Sequence, residues 1–232
     1  MRSKLWSIFL VVVGFIFIVS FSIAVPIWVR PFYYAHIEPL EIEYESGFTR
    51  EQIVEAFDEV MDYLNFGKPF GTGDLKYSEE GKSHFEDCKV LFDLDTWALI
   101  ISFLLLVIAF LLAKFKILIP ARLGKFGFWF YAGIVGLAIP IIAGAAIAVD
   151  FQNAFTVFHK IFFPGKENWV FSWYDDQIIR ILPSQFFMNC GILIISILFT
   201  ACATAIVLNI VRYRKNTKVL ITPTEENQKT TE

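Results

Sequence analysis

Leu5-Trp6-Ser7-Ile8-Phe9-Leu10-Val11-Val12-Val13-Gly14-Phe15-Ile16-Phe17-Ile18-Val19-Ser20-Phe21-Ser22-Ile23-Ala24-Val25-Pro26-Ile27-Trp28-Val29 runs without a single charge. A hydrocarbon core needs about 20 such residues to be crossed by a helix. A secretory leader has an apolar stretch of only about 7–15 residues. Ser22-Ile23-Ala24 resembles a small-residue cleavage site, but the run is too long, so it is read as an uncleaved anchor. Three further uncharged stretches follow, Thr96–Ala113, Phe126–Val149 and Phe186–Val211. The second is the shortest. Over the whole chain, 56% of 232 residues are hydrophobic and 26 are Phe, which is too apolar for a water-soluble domain. The expected fold class is an all-α membrane protein, a four-transmembrane-helix bundle with spans at about 5–29, 96–113, 126–149 and 186–211.

Charge sets the orientation, because Lys and Arg collect on the cytoplasmic side. Arg2 and Lys4 precede span one. Lys114, Lys116, Arg122 and Lys125 lie between spans two and three, and Arg212, Arg214, Lys215 and Lys218 follow span four. Both termini are therefore expected in the cytoplasm, with residues 216–232 as a disordered tail. Residues 30–95 hold 16 acids against 6 bases and form a small mixed extracellular cap. Residues 150–185 form a second, short helical outer segment. The net charge of −3 conceals a basic inside and an acidic outside, and it gives no support for nucleic-acid binding.

Within the cap, His36-Ile37-Glu38-Pro39-Leu40-Glu41-Ile42-Glu43-Tyr44 alternates apolar and acidic residues. That is a strand signal, weakened by Pro39. A helix follows, with Thr49 as N-cap, Gln52 completing a capping box, and Phe48 and Ile53 placed as a hydrophobic staple. Ile53, Phe57, Val60, Met61 and Leu64 form its apolar stripe, and Gly67 stops it. Gly71-Thr72-Gly73 lacks the preceding strand and following Lys of a phosphate loop. Ser78 is a candidate N-cap for a helix that runs into span two. In the second outer segment, Phe155, Phe158, His159 and Phe162 share helical spacing from Asp150 to Pro164-Gly165. Gly136, Pro140 and Gly144 in span three are spaced for close helix contact.

The three histidines, His36, His84 and His159, all fall in the outer segments, where an imidazole can move protons near neutral pH. Asp87 and Cys88 follow His84 at i+3 and i+4, so both can share its helix face. That spacing admits an ion pair, a tautomer-fixing carboxylate or a thiol with its base. No His-x-x-x-His, Cys-x-x-Cys or Gly-x-Ser-x-Gly pattern supports a metal centre or a serine hydrolase. The cysteines Cys88, Cys190 and Cys202 form no external framework, and no structural disulfide is expected.

Two blocks carry a resemblance. Ser78…His84-Phe85-x-Asp87-x-Lys89 and Phe158-His159-x-x-Phe162-Phe163…Trp169…Asp176-x-Ile178-Ile179-x-x-x-Pro183…Phe186-Phe187 resemble the lipoprotein intramolecular transacylases, small four-span bacterial membrane proteins. The likeness covers nearly the whole chain. It departs at Ser172-Trp173, where that family suggests Asp-Pro, and at Cys88, where it suggests an apolar residue. The resemblance implies an enzyme acting on diacylglyceryl-modified lipoproteins within membrane lipid. It would move the sn-2 acyl chain to the α-amine of the N-terminal cysteine, giving the N-acyl lyso form. His84 and His159 would be the catalytic pair, and no cofactor or metal would be needed. Asp87, Lys89 and Asp176 are candidates to orient them, and Trp169, Phe162 and Phe163 to line the substrate path or the interface. Two readings compete. One is a non-enzymatic tetraspan scaffold whose acidic cap binds a protein, and the other is an acyltransferase using a separate phospholipid donor.

Overall fold

The computed structural model describes residues 2–221. Its elements in chain order are β1 (Arg2–Ser3), α1 (Lys4–Trp28), α2 (Arg30–Tyr34), α3 (Ile42–Ser46), α4 (Arg50–Phe66), α5 (Glu79–Lys114), β2 (Ile119–Pro120), α6 (Phe128–Gly136), α7 (Ala138–Val149), α8 (Phe151–Phe162), α9 (Ile178–Ile181) and α10 (Ser184–Ile221). Among the described residues, four helical stretches are long and apolar enough to cross a membrane: Lys4–Trp28, Glu79–Lys114, Phe128–Val149 and Ser184–Thr217. The protein is a multi-pass helical membrane protein.

The bundle exposes most of its apolar surface sideways, as at Phe110, Ile141 and Ile142. Inside a bilayer that surface faces lipid, so cohesion rests on close backbone approach. Glycine supplies it. A Cβ on Gly133 would lie 2.8 Å from the Cys202 carbonyl, and one on Gly136 would lie 2.6 Å from Cys202 Sγ. Gly144 sits more loosely, its Cβ position 3.8 Å from Ile195. The third span breaks at Leu137 into α6 and α7. Pro140 has no N–H to give to the Gly136 carbonyl four residues earlier, so that turn is not closed. At the basic end, β1 pairs in parallel with β2, and Ser7 Oγ donates to the Ala121 carbonyl at 2.7 Å. α10 continues through residues 216–221, which the sequence alone assigns to a disordered tail. The remainder of that tail, 222–232, lies outside the described residues.

The opposite end carries the cap, built around α4. Thr49 accepts from Gln52 N–H, and Gln52 returns a bond to Thr49 N–H. Gly67 ends the helix at φ 65°, a conformation glycine adopts without a Cβ clash. Ile53, Ala56, Phe57, Val60, Met61 and Leu64 are all buried. They pack with Tyr33, Ile37, Ile42, Phe85, Ile178 and Phe186 into one core that joins both outer segments. The Tyr33 ring stacks on Phe57 at 3.8 Å, and its hydroxyl donates to the Ile181 carbonyl at 2.7 Å. Arg30, just above span one, pairs with Asp58 at 3.1 Å and with Asp62.

The cap is helical and not mixed. Residues 35–41 form turns and 42–46 form α3, where a strand is expected. The alternating pattern does real packing, since Ile37 and Ile42 both reach the core. Yet no neighbouring strand is present to pair with, and Glu41 turns at φ 52°. An isolated extended segment leaves its backbone groups unpaired, so the turn and short helix win.

Candidate active site

His84 and His159 approach from different elements and meet. Their ring centroids are 5.6 Å apart. His84 lies on the second turn of α5. Ser78 starts that helix, its Oγ accepting from Gly81 N–H at 2.9 Å. Asp176, from the second outer segment, is buried against the same helix end. Its carboxylate accepts from Ser78 N–H and Ser78 Oγ, each at 2.8 Å, and from Ser172 N–H at 3.2 Å. Gly81 makes this approach possible, because any Cβ there would strike the Asp176 carboxylate. Free N–H groups at a helix start favour a carboxylate. Asp176 therefore fixes the second outer segment to the helix that carries His84.

His159 lies on α8, which Asp150 caps by accepting from Asn153 N–H at 3.0 Å. Nδ1 of His159 donates to the Phe155 carbonyl, one turn back, at 2.8 Å. That bond places the proton of the neutral ring on Nδ1 and leaves Nε2 with a free lone pair. Trp169 is tilted by 32° against the ring at 4.9 Å, its own Nε1–H donating to the Lys166 carbonyl.

His84 is only 5% exposed. Phe163 stands edge-on to it at 4.9 Å and Phe171 at 5.5 Å. Nε2 of His84 is 3.4 Å from Cys88 Sγ, and Nδ1 is shut off from solvent with no partner among the described residues. Burial, then the adjacent His159, lowers the His84 pKa to about 4, with Asp87 pulling against them and Lys166 adding to them. Burial also lowers His159, partly offset by its bond to Phe155. Both rings are thus neutral at pH 7. Burial pushes the Cys88 thiol up to about 12, reinforced by Asp87, so Cys88 is not a thiolate.

The remaining candidates separate. Asp87 does not bond to His84. It pairs with Lys166 and accepts from Asn168 Nδ2 at 3.0 Å, tying α5 to the loop after α8. Burial opposes its charge, but these two donors hold it below the usual carboxylate range. Lys89 turns away, donating to the Leu64 carbonyl at 3.3 Å and facing Asp93 at 3.6 Å. Phe163 is buried beside His84, whereas Phe162 is on the exposed face of α8. His36 lies elsewhere, its Nδ1 bonded to the Phe32 carbonyl at 2.6 Å. Among the described residues no three His, Cys, Asp or Glu side chains are grouped to hold a metal ion. Sequence reasoning missed Phe171, Lys166, Asn168 and Gly81. In a single sequence nothing distinguishes these from ordinary loop and helix residues.

Comparison with known proteins now decides the family. Residues 8–187 match the family model described as lipoprotein intramolecular transacylase Lit. The chain belongs to the Lit family. The in meso structure of the membrane-integral Lit from Bacillus cereus superposes with a TM-score of 0.81 at 23% identity, covering 93% of this chain and 97% of that one. A histidine-to-alanine variant of the Bacillus cereus Lit gives 0.72 at 23% identity, over 93% of each chain. A histidine-to-arginine variant gives 0.69 at 24% identity, over 90% of each. These likenesses establish the Lit fold. No curated protein matches significantly. As a Lit, the chain is a transacylase of lipoprotein maturation.

Proposed function

We propose that this chain transfers the sn-2 acyl group of a diacylglyceryl lipoprotein to the α-amine of that lipoprotein's N-terminal cysteine, using His84 and His159. The observation that carries the reading is the pairing of two buried, neutral imidazoles 5.6 Å apart within a wall of aromatic rings. In the proposed reaction the amine nitrogen attacks the ester carbonyl, forming the C–N bond. The amine proton passes to one imidazole. The other donates a hydrogen bond to the oxyanion of the tetrahedral intermediate. Collapse breaks the bond to the glycerol sn-2 oxygen, and the proton held by the first imidazole is delivered there. One proton moves from nitrogen to oxygen, and both histidines return to their starting state.

The chemistry suits this setting. An α-amine titrates at about 7.7–8.0, so part of it is free base near neutral pH, and the nitrogen proton becomes acidic enough for a neutral imidazole to accept once the C–N bond has formed. Amine and ester belong to one molecule, which removes the entropic cost of bringing two reactants together. Ester-to-amide conversion is downhill and needs no activated donor. A dry aromatic wall also favours aminolysis over loss of the acyl chain to water.

The proposed membrane placement takes the apolar parts of the four helices, near 5–29, 96–113, 126–149 and 186–211, as the spans. The basic end then faces the cytoplasm, and 30–95 with 150–185 lie outside. A single residue, Asp150, separates the end of α7 from the start of α8, and Val157, Phe158, Ile161 and Phe162 on the outer face of α8 are exposed. Such a helix lies in the plane of the lipid headgroups. His159 on its inner face would then sit at the depth of a lipid's ester bonds.

Tandem mass spectrometry of the N-terminal lipopeptide tests the proposal. Purified protein is incubated with a diacylglyceryl lipoprotein and no added lipid. An N-acyl, monoacylglyceryl fragment pattern supports it. An unchanged diacylglyceryl pattern from folded protein, or a product formed only when phospholipid is supplied, overturns it.

A further inference from the structure

We propose that the Cys88 thiol is a positioning group that holds His84 in its Nδ1–H tautomer and so directs a hydrogen-bond donor at the substrate's reacting oxygen. This rests on the histidine reading above and adds a residue to it. Cys88 lies one turn after His84 on α5, its sulfur 3.4 Å from His84 Nε2. A bond between them has two directions. Sulfur is a weak acceptor and an imidazole nitrogen a good one, so the favoured direction is S–H to Nε2. Burial keeps the thiol protonated and able to donate. With Nε2 accepting, the single proton of the neutral ring must sit on Nδ1.

His84 Nδ1 is buried and has no acceptor among the described residues. An unpaired buried donor is disfavoured, and native structures keep few of them. The groups facing this ring are His159 and Phe163 from α8 and its end, Phe171 from the following loop, and Asp87, Phe85 and Cys88 from α5 itself. Asp87, the one carboxylate among them, is engaged by Lys166 and Asn168. The missing acceptor is therefore expected from the ligand, an oxygen that is a carbonyl in the ester and an oxyanion in the intermediate. His159 is held by the Phe155 carbonyl in a tautomer with Nε2 free. The two rings then present opposite functions, a donor on His84 and an acceptor on His159.

The alternative role for Cys88 is nucleophilic. It would pass the acyl chain through a thioester. The burial that keeps the thiol protonated, and that also leaves the His84 ring beside it a weak base, argues against that.

The experiment compares wild type with Cys88→Ala and Cys88→Ser in detergent micelles. Two quantities are read, the ¹⁵N chemical shifts of selectively labelled histidine and the initial rate of lyso-lipopeptide formation. Wild type should show a neutral His84 protonated on Nδ1. Cys88→Ala should move the proton population toward Nε2 and lower kcat about three- to tenfold with KM little changed, the worth of one hydrogen bond. Cys88→Ser, which keeps a donor, should recover most of the rate and the Nδ1 signature. If Cys88→Ala folds poorly, Cys88→Val provides the donor-free variant. An unaltered tautomer and rate in the donor-free variant overturn the proposal. Complete loss in both Ser and Ala variants, with an acylated Cys88 trapped in wild type, overturns it in favour of the nucleophile. His84→Ala and His159→Ala run alongside separate the two claims. If both remain active, the histidine reading itself fails. If both are dead while the donor-free variant is normal, only the role of Cys88 falls.

Discussion

His84 and His159 are held by unlike parts of the molecule. His84 belongs to α5, a 36-residue helix locked at its start by Ser78 and Asp176 and leaning on the cap core through Phe85. His159 belongs to α8, a 12-residue helix whose outer apolar face, with Val157, Phe158, Ile161 and Phe162, is exposed. One side of the site is set by packing within the protein. On the other, the chain leaves the outer face of the helix exposed. A ring whose pKa is lowered to about 4 in a rigid, dry pocket suits a hydrogen-bond donor that stays neutral throughout. A ring less deeply held, with a free Nε2, suits the group that takes and returns a proton.

The strongest way to break this contrast is to remove each ring in turn. His84→Ala and His159→Ala should each reduce the rate of N-acylation by about 10²–10⁴-fold. The double variant should be little worse than either single one, because both act on one transition state. Quantitative lipopeptide mass spectrometry checks this, and a double variant showing the full product of the two losses would mean independent roles.

The α5 side should be the one that depends on the cap. Phe57→Ala removes the ring stacked on Tyr33 in the cap core and should cost about 3–5 kcal/mol, read as a lower thermal midpoint in detergent. A smaller effect is expected where the two sides are joined. Asp176→Ala leaves Ser78 N–H and Ser172 N–H without their acceptor, at about 1–3 kcal/mol. Activity should fall with it, and Asp176→Asn, which retains an acceptor oxygen, should restore part of both. Equal stability in wild type and Asp176→Ala would show that the second segment is held by apolar contacts alone.

The pH response sharpens the same comparison. His84 has a folded pKa near 4 against an ordinary value of 6.5. Between these values the unfolded chain binds the extra proton, so stability falls as pH drops from 6.5 to about 4 and levels off below. Measured against His84→Gln over that window, wild type should lose thermal stability more steeply. Parallel curves would show that burial does not depress the ring. The smallest effect belongs to the exposed link between the two sides. Lys166→Ala removes a half-exposed partner of Asp87 and should cost about 0.2–1 kcal/mol.

Much of this was legible residue by residue. The helix α4 follows its capping box, apolar stripe and terminal glycine because those signals act over one turn. The four apolar stretches and the helix begun by Ser78 are local in the same sense. The segment 36–44 was misleading, because alternation specifies two faces but a strand also needs a partner, and none stands beside it. The site candidates divided in the same way. His84, Phe163, Asp176 and His159 are brought together, while Lys89 and Phe162 are not, although all of them lie in the blocks that carry the family resemblance.

By itself the sequence determined the helical class, the membrane character, and the start and stop of α4 and the start of α5, since composition, periodicity and capping are properties of neighbouring residues; the choice of His84 and His159 among three histidines came from the family resemblance. Only the tertiary structure decided that Asp87 serves Lys166 and Asn168 and not His84, that Asp176 caps the start of α5, and that His84 is left with one nitrogen on Cys88 and the other unpartnered. Those outcomes depend on which side chains from distant segments reach the same buried volume first, and a linear pattern does not encode that competition for partners.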